Sequence, residues 1–179
     1  CIRDSYDDNA ESYAGNGIEK SDVKMVNVRH ILIQPEGKND DGTYTDEAWA
    51  AAEKKANDLL TEWKNGEHTE ESFAFMAAEN SADPGSAENG GLYEDVYPGQ
   101  MVDAFDAWCF DASRQPGDTG IVETSYGVHV MYFDGFGNSY RNTLVENALR
   151  TADYNAWHDG VVGDNTYTTA SFGMKFTTK

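Results

Sequence analysis

Residues 81–110 read SADPGSAENGGLYEDVYPGQMVDAFDAWCF, and no other stretch restricts the chain as much. An Asp83-Pro84-Gly85 turn, a Gly90-Gly91 pair and a Pro98-Gly99 turn interrupt it. Between these breakers there is room for a short strand near Leu92 and, after them, for a short apolar helix over 102–111. Two distant segments answer to this stretch. VNVRHILI at 26–33 and ETSYGVHV at 123–130 each hold one histidine inside an apolar, strand-like run.

The elements between them are legible from periodicity. Thr45 is positioned as an N-cap, with Asp46 and Glu47 in the electropositive first turn. Trp49, Ala52, Ala56, Leu59, Leu60 and Trp63 form one stripe of a long helix that Asn65-Gly66 stops. A shorter helix over 70–80 turns Phe73, Met76 and Ala77 inward. Residues 120–123 and 128–133 read as two strands around Ser125-Tyr126-Gly127. Strand, two helices, short strand, helix and two strands make an α+β domain with an antiparallel sheet. On either side, 2–14 and 144–156 read as amphipathic helices that need each other as apolar partners, and 166–176 alternates like a strand.

Charge narrows the partners. Asp and Glu number 32 against 13 Lys and Arg, a net charge of −19. Such a surface repels nucleic acid and anionic lipid. A run of about 18 apolar residues, the length a membrane-crossing helix needs, is absent from the sequence. Cys109, in the apolar run AWCF, reads as a buried structural thiol. Two readings stand for Cys1: the lipid-bearing first residue of a mature lipoprotein, or a fragment boundary. Ile2, Tyr6, Ala10 and Tyr13 recur at helical spacing where a lipoprotein has a polar tether, so the boundary is favoured.

Each chemical candidate has a plain alternative. His30 and His129 could be satisfied core residues. Neither has a Cys, Asp or Glu at metal-ligand spacing, so no metal and no cofactor is expected. Asp83 suits turn chemistry, because an Asp before Pro bonds its own backbone. Ser86 and Ser125 lack a G-x-S-x-G elbow, and the Gly pair lacks the Lys-Ser or Lys-Thr of a phosphate loop. Phe110 reads as core. Met101 and Phe105, four apart at a helix mouth, can form an adaptable apolar cup. On that reading Phe105→Ala costs activity more than stability, and Phe110→Ala costs stability.

In order and spacing, five motifs over roughly 26–136 resemble the parvulin-type (PpiC, rotamase) peptidyl-prolyl cis-trans isomerases. They are V-x-x-x-H-I-L in VNVRHILI, F-x-x-x-A-x-x-x-S in FAFMAAENS and S-x-D-x-x-S-A before a Gly pair in SADPGSAENGG. Gly99-Gln100-Met101 with Phe105, and T-x-x-G-x-H in Thr124, Gly127 and His129, complete the set. The resemblance implies a four-stranded antiparallel sheet with packed helices, in a domain spanning 26–137. Residues 1–25 form an N-terminal helix and linker, and 138–179 a C-terminal helix and tail. It also implies a catalytic network of His30, Asp83, Thr124 and His129, and a proline pocket of Met101 and Phe105. Tyr93 stands where the family often has a pocket Leu. Bacterial extracytoplasmic foldases are similar in carrying such a domain between helical flanks. The resemblance thus implies an isomerase for unfolded or partly folded clients with X-Pro bonds, acting outside the cytoplasm. The alternative is a folding chaperone or binding module of the same fold with little turnover. Phosphate-directed parvulins carry a basic cluster after the first strand; here that loop reads QPEGKNDD, so no phospho-specificity is expected.

Overall fold

A computed structural model of the chain describes residues 6–7, 9–15, 23–39 and 41–162. It divides into two compact units, Ser21–Tyr140 and, together, Cys1–Lys20 with Arg141–Lys179. In chain order the elements are α1 (Ala10–Gly15), β1 (Lys24–Ile33), α2 (Asp46–Asn65) and α3 (Glu70–Asn80). A 3-10 turn at Ala87–Asn89, β2 (Leu92–Val96), α4 (Asp103–Cys109), β3 (Thr119–Thr124), β4 (Gly127–Ser139) and α5 (Tyr140–Val162) follow.

Local chemistry sets the helix ends. The Thr45 hydroxyl accepts from the Ala48 amide, and Asp46, Glu47 and Lys64 lie at the ends where the helix dipole favours their charges. Thr69 and Ser72 cap α3 reciprocally. The α2 stripe is buried as spaced, except that Ala48 takes the innermost first-turn position and Trp49 is half-buried.

All four strands pair antiparallel, in the order β2-β1-β4-β3. Because side chains alternate, the sheet has two unlike faces. Ile31, Ile33, Val128 and Val130 pack under α2 and α3 with Trp63 and Phe73. Val28, Met131, Phe133 and Val122 face α4, where Phe105 and Cys109 close a second core. His30 and His129 belong by alternation to this second face. Opposite His30 on β4 is Met131, and opposite Leu32 is His129, so the two histidines are diagonal neighbours.

The Gly90-Gly91 pair fixes how the 81–96 segment meets β1. Gly91 has φ +72°, and a Cβ there would lie 2.2 Å from the His30 carbonyl oxygen. Its own carbonyl accepts the His30 amide at 2.9 Å. The Arg29 guanidinium donates to the carbonyls of Asn89 and Gly90 and pairs with Glu70, holding the turn from the other face.

Several boundaries differ from expectation. α4 is shorter than 102–111, and β4 runs on to Ser139. The last helix extends beyond 144–156 at both ends, from Tyr140 through Gly160 to Val162. In the smaller unit Tyr6 and Val145 are buried against Ala10, Tyr13 and Leu144, so the two flanking helices do share an apolar contact. The strand expected over 166–176 and Cys1 lie outside the described residues. Cys109 is a free, buried thiol, and burial, then the nearby Asp106 carboxylate, push it up to about 12.

Candidate active site

The second sheet face brings His30, His129, Asp83 and Thr124 into one line of polar groups. The Nδ1 atoms of His30 and His129 are 2.9 Å apart, with the rings stacked at 5.2 Å. The Nε2 of His30 lies 2.9 Å from Asp83 Oδ2 and 3.0 Å from Ser86 Oγ. At the far end Thr124 Oγ1 lies 2.8 Å from His129 Nε2. His30 is 3% exposed and His129 5%. Among the described residues no group of three His, Cys, Asp or Glu is placed to hold a metal ion.

Protonation follows from the donors. Burial raises the Asp83 pKa, but bonds from Ser86, His30, the Gly85 amide and Tyr93 outweigh it and hold the carboxyl at about 2. An ionised carboxylate only accepts, so His30 must donate from Nε2. Its Nδ1 then accepts the Nδ1–H of His129. The Nε2 of His129 accepts in turn, so the Thr124 hydroxyl donates to it. Thr124 Oγ1 meanwhile receives the Tyr126 amide at 3.2 Å. Every group has one consistent role with both imidazoles neutral. Burial supports that state: it lowers His30 against the opposing pull of Asp83, and it lowers His129, with help from His30, to about 4.

Asp83 therefore serves both readings. Its Oδ1 accepts the Gly85 amide at 3.2 Å, which is turn chemistry, and its Oδ2 takes the side-chain donors. Ser86, which lacks the sequence setting of a nucleophile, is 1% exposed and donates to Asp83 Oδ2. The signal that could have found it is the Asp-x-x-Ser spacing, which closes a turn with the Ala87 amide on the Asp83 carbonyl at 3.0 Å.

Over this polar floor opens a pocket of about 420 Å³. Met101, Val102, Phe105, Leu32, Pro84, Tyr93 and Tyr126 supply apolar wall, and His30, His129 and Asp83 the floor. Phe105 stands edge-on to both imidazoles at 5.5 Å. Tyr93 stacks on His30 at 5.3 Å and donates its hydroxyl to Asp83 at 2.9 Å. Thr124 sits behind His129 and does not line the pocket. One expectation needs correcting: Phe105 is 3% exposed and part of the core beneath α4, whereas Phe110 is only half-buried. Met101 lies before the N-cap Val102, and only Phe105 is on α4, which is too short to separate pocket from core.

Residues 16–134 match the family of the PPIC-type PPIASE domain. The chain belongs to that family. It is 32% identical over 106 residues to foldase protein PrsA 1 of Listeria innocua, covering 59% of this chain and 29% of that protein. It is 38% identical over 106 residues to chaperone SurA of Pseudomonas putida, covering 59% of this chain and 22% of that one. The chain thus spans less than a third of the length of these relatives. The peptidylprolyl isomerase PrsA from Bacillus anthracis superposes with a TM-score of 0.52 at 17% identity, over 82% of this chain and 59% of that structure. That likeness speaks for the parvulin fold.

Proposed function

We propose that this chain is a peptidyl-prolyl cis-trans isomerase that assists the folding of unfolded or partly folded clients. The observation that carries the reading is the Thr124–His129–His30–Asp83 chain, two neutral imidazoles ending on a carboxylate, under an apolar pocket of Met101, Phe105 and Tyr93. The barrier to X-Pro rotation is amide resonance, about 18–20 kcal/mol. Lowering it requires binding the twisted amide better than either planar form, with no σ bond made or broken. The apolar cup holds the proline ring while the carbonyl side turns. A twisted amide has lost part of its resonance dipole, so it suits a pocket with little free polarity. Each proton of the floor is already committed within the network, and Asp83 is saturated with donors, which fits a non-covalent route. A gain of about 5 kcal/mol would give nearly four decades in rate.

Similarity to a named foldase and a named chaperone supports client chains as partners and an extracytoplasmic setting. Among the described residues no helix is long and apolar enough to cross a membrane. The test is protease-coupled turnover on a panel of X-Pro peptides. Met101→Ala, which spares the polar chain, should lower kcat/KM about tenfold with an unchanged melting temperature. Binding of unfolded chains without turnover above the uncatalysed rate would replace this reading with that of a binding module.

A further inference from the structure

On the helical face of the larger unit, a groove of about 710 Å³ runs between α2 and α3. Leu59 and Trp63 supply its apolar surface from α2, and Phe75 and Met76 from α3. Phe75 is 66% exposed, the most exposed of the large apolar side chains described. Glu71, Phe75 and Glu79 are spaced four apart on one face of α3, so a carboxylate flanks the ring on each side. Glu62 and Glu67 add two more, and no Lys or Arg lines the groove. None of these four glutamates is ion-paired among the described residues, although Glu70 on the same helix pairs with Arg29 and Asp58 on α2 pairs with Lys54.

We propose that this groove is a second docking site, for an extended polypeptide segment that carries Lys or Arg beside apolar side chains. An apolar side chain is needed to cover Phe75 and Met76, and cations to meet four carboxylates that have no partner among the described residues. Charge disfavours the other occupants: a second copy, at −19, and any anionic surface would be repelled. A cleft beside the end of β1 adjoins both the groove and the active pocket. Asn80 lines both the groove and this cleft, and the cleft shares Leu32, Gln34 and Ala82 with the pocket. A chain held in the groove raises the local concentration of its own X-Pro bonds at the pocket. Only the assignment of the segment to a folding client rests on the isomerase reading.

The test is fluorescence anisotropy of the full chain with a labelled, proline-free, unstructured peptide of Leu and Phe interspersed with Lys and Arg. Its counterpart carries Glu for each cation. The cationic peptide should bind and the anionic one should not. Glu79→Lys should weaken binding about tenfold, while Glu53→Lys, an equal charge change away from the groove, should leave it within about twofold. Glu79 is in the last turn of α3, where Lys suits the helix dipole, so misfolding is not the expected cause of a loss. Phe75→Ser should weaken binding about fivefold. Turnover of short X-Pro peptides should be unchanged in all three variants. Binding without turnover would leave the groove standing and remove the isomerase reading. Turnover without binding, equal losses from the Glu79 and Glu53 changes, or no effect of Phe75→Ser would overturn the groove. So would self-association that Phe75→Ser abolishes.

Discussion

At the scale of single residues, the polar floor works only in one protonation state. Protonating His30 would make both Nδ1 atoms donors across their 2.9 Å contact, and protonating His129 would put a proton on the Nε2 that accepts the Thr124 hydroxyl. His129 titrates at 6.5 when unfolded but at about 4 in the fold. The unfolded chain therefore takes up that proton first as pH falls. Stability present above 6.5 is lost as pH drops toward about 4, by roughly 3 kcal/mol from this group. Asp83 adds a further loss in the same direction, between 3.8 and about 2. Tyr93 is raised by burial and by Asp83, so its hydroxyl keeps its proton in alkali. The expected kcat/KM profile is flat from about pH 6 to 9 and falls below about pH 5. A fall centred near pH 7 on the alkaline side would contradict these tautomers. Ser86→Ala removes one donor from Asp83 and one acceptor from His30 in a fully buried position. It should cost about 1–3 kcal/mol in denaturant unfolding and shift the acid limb of the profile. A changed melting temperature with an unmoved limb would make Ser86 purely structural.

Among the elements, α4 has the most conflicting duties. Its seven residues close the second core through Phe105 and Cys109 and also present Phe105 to both imidazoles. Phe105→Ala should therefore destabilise by about 3–5 kcal/mol, and Phe110→Ala by distinctly less, read from chemical denaturation. Phe105→Leu separates the duties: it should keep most of the stability and still lose turnover. The sequence could not reveal this sharing, because i, i+4 spacing gives the face of a helix but not what lies across from it. By contrast, the α2 stripe, apart from the exchange of Trp49 for Ala48 in the first turn, and its Thr45 cap are legible, since both are local. The histidine strands are legible as strands, but that the rings meet depends on register between residues 99 apart. Ser86 falls within the S-x-D-x-x-S-A motif, but a serine in a turn has an adequate local use, so its bond to Asp83 does not stand out. Gly160 is a poor stop signal because glycine in a helix only costs stability, and α5 continues past it.

For the molecule as a whole, charge decides which substrates can approach. The excess of acid is spread over the chain, and the residues that line the active pocket include neither Lys nor Arg. In the loop after β1, the Lys38 ammonium lies 5.0 Å from the centre of the Tyr44 ring, and Glu36 and Asp41 are close to it in sequence. Lys55 lines the adjoining cleft together with Glu36, which offsets it. A phosphorylated side chain brings about −1.5 to −2 charges and is normally held by guanidinium forks. Arg29, the arginine closest in sequence to the pocket strand, is committed on the opposite sheet face to Glu70 and the Gly90 turn. Matched peptides with Ser, phospho-Ser, Glu, Ala, Leu and Lys before proline should thus show no gain on phosphorylation. Leu and Lys should be favoured mildly over Glu, and the Lys-over-Glu difference should shrink as salt rises, because long-range attraction is screened over about 8–10 Å at physiological ionic strength. A clear gain with phospho-Ser at low salt would require a cationic site assembled from residues outside the pocket. Salt-independence of the Lys-over-Glu preference would instead place its origin in direct contacts within the cleft.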